Sequence, residues 1–195
     1  MAVLMLLEIP GGTIDQYQRA REIMGISSDD DSPEGLISHV AARSDDGIVI
    51  ADVWRSEEDV EKFFSEQAGP ALSEAGMPEA QPSFARIHNH TEGIGSTPAA
   101  LVIIEADDLT PDLYDQMAEN VPGTRDGSHP AVAHVAAVKP DGSVIVVDVW
   151  ESPEAFHAFA QEQIAPAAEQ AGFDRIEPRI HEVHDTLKGQ TTAAQ

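Results

Sequence analysis

Two histidines and two aspartates stand at places in the chain where they could form proton-transfer pairs. If Asp45-Asp46 forms a two-residue turn, His39 faces Asp52 across a strand pair, and a three-residue loop or a bulge places His134 opposite Asp148 in the same way. Cross-strand neighbours lie about 5 Å apart at Cβ, within hydrogen-bond reach for imidazole and carboxylate. An aspartate so placed orients and charges a histidine that serves as a general base. The alternative is that each pair is a satisfied and inert structural bond, because a buried carboxylate is costly unless it is paired.

Three further residue pairs occupy matching positions and are candidate substrate-binding residues: Trp54 and Trp150, Tyr17 and Tyr114, His88 and His184. The tryptophans could stack on a ligand or anchor the core. The tyrosines fall on an apolar helix stripe, where they are packed or turn a phenol toward a ligand. The two histidines end matching strands and either border a cavity or cap the strand.

Metal and cofactor motifs are weak in this sequence. The spacings His88-x-His90 and His181-x-x-His184 each occur in only one half, with no carboxylate clearly placed beside them. Gly93-Ile94-Gly95 has linker composition, and no phosphate-binding glycine loop is present. We therefore expect neither a metal nor a bound cofactor.

The elements that must position these residues occur twice. Residues 52–76 and 148–172 are identical at 12 of 25 aligned positions, which indicates an internal repeat. Each copy has the order βαββαβ, the ferredoxin-like arrangement. We predict a first repeat over 1–90, a linker over 91–98, a second repeat over 99–188 and a tail over 189–195.

Local signals support this order. Thr13-Ile14-Asp15-Gln16 is a capping box that begins a helix. Ser56 and Ser152 are N-caps of later helices. Pro70 is expected to break or kink the first of these, because proline lacks the backbone donor.

The repeat also predicts how the copies assemble. A ferredoxin-like sheet carries its helices on one face and leaves the other open, with roughly 300 Å² to cover. A second copy in the same chain is the obvious cover. We predict an α+β fold with the two repeats packed sheet to sheet as an intramolecular barrel, with further homo-oligomers possible.

The arrangement resembles the dimeric α/β-barrel superfamily, which includes antibiotic-biosynthesis-type monooxygenases. The residues that carry the resemblance are His39, Asp52-Val53-Trp54, Ser56, Phe63, Pro70, Ala75-Gly76 and Ile87-His88, with His134, Asp148-Val149-Trp150, Ser152, Phe159, Pro166, Ala171-Gly172 and Val183-His184 in the second copy. The resemblance implies a small-molecule site and a monooxygenase-like oxidoreductase. The haem-degrading members match poorly, because the first strands here contain no asparagine and only one copy has a helix histidine. The resemblance therefore implies that any oxygenase activity is cofactor-independent.

Strand alternation predicts which side carries the site. Val49, Ala51 and Val53 are uniformly apolar and suit contact with the helices. The mixed set that contains Asp52 and Trp54 is expected to face the barrel interior. The second copy has alanine at 160 where the first has Phe64, so we expect its pocket to be the roomier one.

The expected function is binding of a small apolar or aromatic molecule, with monooxygenase-like turnover of an aromatic or quinol-type substrate by His39–Asp52 or His134–Asp148. The alternative is a non-catalytic ligand-binding or stress-associated barrel with structural His–Asp pairs. A formal charge of −24 disfavours nucleic acid as a partner, and it leaves solubility and high-salt adaptation both open. The first apolar run is too short to span a bilayer. The absence of cysteine fits a cytoplasmic protein.

Overall fold

The computed structural model describes residues 1–173 and 177–189. The strands are β1 (Val3–Pro10), β2 (Leu36–Arg43), β3 (Gly47–Trp54), β4 (Ser83–Glu92), β5 (Ala100–Glu105), β6 (Ala133–Val138), β7 (Val144–Trp150) and β8 (Pro178–Lys188). The α-helices are α1 (Ile14–Met24), α2 (Glu57–Phe63), α3 (Gly69–Glu74), α4 (Pro111–Asn120), α5 (Pro153–Phe159) and α6 (Ala165–Ala171). Among the described residues there is no helix that could span a membrane.

Hydrogen bonding orders the described strands β1-β3-β2-β8-β5-β7-β6-β4, and the ring closes as an antiparallel barrel. The predicted α+β fold class, with two βαββαβ repeats contributing to one α/β barrel, is confirmed. By compactness the chain divides into a first unit, Met1–Phe84 with the chain from Val183 onward, and a second unit, Ala85–Glu182. Each unit thus contains part of the last strand of the other sequence repeat.

The predicted repeat boundaries can be placed on these elements. β4 extends to Glu92, two residues into the segment predicted as the linker. That segment then forms backbone hydrogen bonds, from Gly93 to Val132 and from Gly95 to Ala131. Of the predicted tail, residues 190–195 lie outside the described residues.

Both hairpins have the predicted register. In the first, Ser44 N donates to Gly47 O at 3.0 Å, which closes a two-residue turn and sets His39 opposite Asp52. In the second, Lys139 N donates to the backbone oxygen of Ser143 at 2.8 Å around a three-residue loop, and His134 lies opposite Asp148. The extra loop residue therefore preserves the pairing.

The prediction that Pro70 breaks or kinks its helix is corrected in detail. α2 and α3 are joined by a π-helical turn, Phe64–Ala68, in which Gly69 N donates to Phe64 O. The wider turn moves the helix past the proline, which has no N–H to donate and whose ring would clash with the carbonyl four residues earlier. The second repeat uses the same turn, Ala160–Ile164, before Pro166.

The predicted capping box is present at the start of α1. The Thr13 side chain accepts from Gln16 N at 3.3 Å, and Gln16 Oε1 accepts from Thr13 N at 2.9 Å. We expect Thr13→Ala to lower the free energy of unfolding by about 1 kcal/mol, because an orphaned backbone donor loses its acceptor. Urea denaturation measures this, with Ser65→Ala as the control because that hydroxyl bonds only a helical carbonyl. A loss equal to the control's would contradict the capping role.

The side of the sheet that carries the site was predicted wrongly. Ile48, Ile50 and Trp54 cluster with Tyr17 of α1 and Val60 of α2, so their face is the helix-facing one. Composition could not separate the two faces of β3, because nearly every residue of this strand is buried, whichever face its side chain lies on. The polar partner that makes Asp52 tolerable on this face is His39 of the neighbouring strand β2, which in turn contacts Tyr17 of α1.

Candidate functional site

The site of the first unit is a chain of three side chains held by α1, β2 and β3. His39 Nδ1 lies 2.7 Å from Asp52 Oδ1, and His39 Nε2 lies 2.7 Å from Tyr17 Oη. The phenol and imidazole rings are stacked, at 4° between their planes. Trp54 Nε1 donates to the other oxygen of Asp52 at 3.3 Å. A buried carboxylate, a histidine and a phenol are thus linked in series.

The second unit repeats this geometry with residues of α4, β6 and β7. His134 Nδ1 lies 2.7 Å from Asp148 Oδ1, and His134 Nε2 lies 2.7 Å from Tyr114 Oη. The histidine is 8% exposed and the tyrosine 6%, so water has little access to the chain. Trp150 is buried beside it. The structure therefore brings together the predicted His, Asp, Tyr and Trp of each repeat.

Each tyrosine receives a fourth residue from the last strand of the other sequence repeat. In the first unit Tyr17 Oη donates to Asp185 Oδ2 of β8 at 2.8 Å, and Arg21 forms an ion pair with the same oxygen. In the second unit Asn89 Nδ2 of β4 donates to Tyr114 Oη at 2.8 Å. The last strand of each sequence repeat belongs partly to the other unit, and this strand exchange supplies one residue to each site.

An apolar cavity lies beside each chain of side chains, between the helices and the sheet of its own unit. The first has a volume of about 60 Å³ and the second about 70 Å³. Among the lining residues of the first are Met5, Met24, Ile50, Phe63, Phe64 and Leu72. Among those of the second are Ile104, Met117, Val121, Val146, Phe159 and Ile164. In both, the polar wall includes the Tyr–His–Asp chain.

The expected extra room in the second copy is hardly present, since the two volumes differ by about 10 Å³. Phe64 lines the first cavity, but Ala160 does not line the second. The second cavity is instead narrowed by side chains from the loop after α4, among them Thr124 and His129. Burial lowers the pKa of His129, so its imidazole is neutral at pH 7.

Burial also shifts the pKa values of the two tyrosines. It raises the pKa of Tyr114 to about 12 and that of Tyr17 above its usual range, because a phenolate is poorly solvated there. Since these are the chain's two tyrosines, we expect native protein to show little tyrosinate absorbance at pH 10, where unfolded protein shows half of the total. The raised pKa stabilises the fold below pH 10, and this contribution is lost as the pH rises toward 12. Ultraviolet titration of native and urea-unfolded protein checks this, and ordinary native titration near pH 10 would contradict it.

The two predicted rim histidines lie at the edge of the tyrosine rings. The His184 ring contacts Tyr17 edge-on at 5.9 Å, and the His88 ring contacts Tyr114 at 5.6 Å. His88 Nε2 also lies 3.0 Å from Asp115 Oδ1. Neither histidine is among the described residues that line these two cavities. They border the sites without reaching the place where a ligand would lie.

Four residues of these sites were missed from the sequence: Arg21, Asn89, His129 and Asp185. A signal for two of them was available, because Asn89 follows His88 as Asp185 follows His184 at matching positions. Arg21 and His129 have no counterpart in the other repeat. Only the fold shows that they reach a site.

Comparisons with known proteins show the fold. No family model and no curated protein matches the sequence. The structure is similar to a presumed monooxygenase of Fusobacterium nucleatum (TM-score 0.70, 9% identity, covering 96% of this chain and 94% of that one). It is also similar to an anthrone oxidase-like protein (0.55, 18%, 100% and 96%) and to a monooxygenase-like protein of Listeria innocua (0.53, 12%, 95% and 95%). The chain therefore has the dimeric α/β-barrel fold that its sequence predicted.

Proposed function

We propose that this dimeric α/β-barrel chain binds a small, largely apolar molecule beside its Tyr–His–Asp chains and acts as a cofactor-independent monooxygenase on an aromatic or quinol-type substrate. The observation that carries the proposal is an apolar cavity with a linked phenol, imidazole and carboxylate on its wall. The monooxygenase names of several structural neighbours support this direction.

The proposed chemistry begins with proton removal. A substrate hydroxyl placed against Tyr114 Oη donates its proton to that oxygen, while the tyrosine passes its own proton to His134 Nε2. Asp148 stabilises the resulting imidazolium through Nδ1. The relay therefore leaves the substrate as an electron-rich anion in an apolar site.

Molecular oxygen is the co-reactant, and the substrate supplies the electrons. One oxygen atom forms a bond to a ring carbon, the O–O bond breaks, and the other atom leaves as water with two protons. For a quinol the balance is quinol plus O₂ giving hydroxyquinone plus water. The chain's residues bind and deprotonate the substrate in this scheme, and they exclude bulk water from the anion.

The cavity volume favours a single-ring substrate. At about 60 and 70 Å³ the cavities are less than half the size of an engineered 150 Å³ cavity that holds benzene. Entry of one ring therefore requires side chains to move. The π-helical turns border both cavities, through Phe64 in one and Ile164 in the other, and are the elements placed to make room.

The test uses methylhydroquinone as the probe under ¹⁸O₂. We expect methylhydroxyquinone carrying one labelled oxygen, formed together with labelled water. The control is the double variant His39→Ala/His134→Ala, folded by circular dichroism, which is expected to leave only background oxidation to unlabelled quinone. Equal label incorporation by the two proteins, or none by either, would contradict the proposal.

The competing function is a non-catalytic ligand-binding barrel. It is favoured by the presence of the same Tyr–His–Asp geometry in both units, which suits a structural role repeated by duplication. Under this alternative the double variant loses folding stability and the wild type incorporates no label. Label incorporation by the wild type therefore separates the two functions, because loss of the histidine partner of a buried carboxylate is destabilising under either one.

A further inference from the structure

The two sites differ at one position that decides whether the tyrosine hydroxyl donates or accepts a hydrogen bond. Asp185 of β8 and Asn89 of β4 occupy matching places, each after a histidine, and each contacts the tyrosine hydroxyl of its site. A carboxylate only accepts hydrogen bonds, whereas the amide nitrogen of asparagine donates them. Tyr17 Oη therefore donates its hydrogen to the β8 residue, whereas Tyr114 Oη accepts a hydrogen from the β4 residue.

In the second unit the donors and acceptors form one consistent series. Asn89 Nδ2 donates to Tyr114 Oη and also to the carbonyl of Thr124 at 2.9 Å, which fixes the amide's orientation. The single hydroxyl hydrogen of Tyr114 is then free to point at His134 Nε2, 2.7 Å away. Since His134 Nδ1 donates to Asp148, the histidine has one hydrogen and one lone pair, and it can accept a proton.

In the first unit the same count requires one more hydrogen. Tyr17 Oη lies 2.8 Å from Asp185 Oδ2 and 2.7 Å from His39 Nε2, but it has only one hydrogen to donate. Arg21 pairs with the same Asp185 oxygen and keeps that carboxyl ionised. The second hydrogen must therefore be on His39 Nε2, while Nδ1 already donates to Asp52.

We propose that Asn89 makes the second unit the site of proton abstraction, while Asp185 keeps His39 doubly protonated and unable to act as a base. This rests on the proposed function for its catalytic consequence, but the proton count stands on geometry. Asn89 acts as a positioning residue, because it works through Tyr114. Asp185 is the residue that sets the different state of the first site.

The charged and titratable groups around each histidine agree with this assignment. Around His39 these are Tyr17, Arg21, Asp52, His184 and Asp185. Two carboxylates there balance one guanidinium and one imidazolium. Around His134 they are His88, His90, Tyr114, Asp115, Arg125, His129 and Asp148. There Asp148 alone contacts the histidine among the carboxylates that the described residues supply.

The test reads the proton count directly by ¹⁵N NMR of the imidazole rings at neutral pH. Signals are assigned by comparing His39→Gln and His134→Gln with the wild type. We expect His39 to show two protonated ring nitrogens and His134 one protonated and one unprotonated nitrogen. In Asp185→Asn, His39 is expected to change to the singly protonated pattern, because the new amide donates to Tyr17.

Asp115→Asn is the matched control, since it removes the same charge beside the second site without touching a Tyr–His pair. It is expected to leave both patterns unchanged. With methylhydroquinone, Asp185→Asn is expected to raise turnover by up to about twofold, because a second base becomes available. Identical protonation of His39 and His134 in the wild type, or an unchanged His39 in Asp185→Asn, would overturn the inference. Absence of wild-type turnover with the expected NMR patterns would instead overturn the proposed function.

Discussion

Replacing Tyr114 by phenylalanine is expected to lower turnover of methylhydroquinone by about 100-fold or more. The change removes one oxygen atom that lies 2.7 Å from His134 Nε2, and with it the step that carries the substrate proton to the imidazole. General acid–base groups contribute about 10²–10⁴-fold to rates. The ring that lines the cavity stays in place, so binding should change little.

Steady-state kinetics distinguish the relay from simple packing. The relay predicts that kcat falls while KM stays within a few-fold. A packing role predicts a raised KM or a lower unfolding temperature with kcat preserved. If Tyr114→Phe kept full kcat, His134 would have to take the proton directly, and the relay would be wrong.

The largest expected effect on stability comes from the buried tryptophans. Trp54 is 0% exposed and packs on Phe63 at a ring distance of 5.3 Å, so Trp54→Ala is expected to lower the free energy of unfolding by about 3–5 kcal/mol. Trp150→Ala is expected to cost a similar amount. Urea denaturation followed by circular dichroism measures both.

The matched Phe variants isolate the indole hydrogen bond. Trp54 Nε1 donates to Asp52, while Trp150 Nε1 has no partner within the described part of the chain. Trp54→Phe is therefore expected to cost about 1 kcal/mol more than Trp150→Phe. Equal losses would show that the indole bond to Asp52 contributes nothing to the fold.

The fold could be predicted from the sequence to a large extent because the same sequence pattern occurs twice in the chain. The matching Asp-Val-Trp segments gave the repeat, and the hairpin turn chemistry gave the strand register to the residue. That register alone placed His39 against Asp52 and His134 against Asp148. These are local rules, and tertiary packing did not override them.

The location of the site could not be predicted, because it depends on contacts between elements distant in sequence. The mixed composition of the Asp52 face suggested the barrel interior. Instead, Asp52 bonds His39, and His39 contacts Tyr17 of α1, so this face packs against helices. Asp185 lies 168 residues from Tyr17 in sequence, so no local pattern links them. Strand exchange, which only the topology shows, brings them together.

The cavity beside the Tyr–His–Asp chain of the second unit is expected to hold a small molecule. The most direct measurement is a crystal structure with 4-bromophenol at saturating concentration, read by the anomalous scattering of bromine. We expect bromine density among Met117, Val146 and Phe159, with the phenol oxygen within hydrogen-bond distance of Tyr114 Oη. Bromine found only on the outer surface, or none in well-ordered crystals, would contradict it.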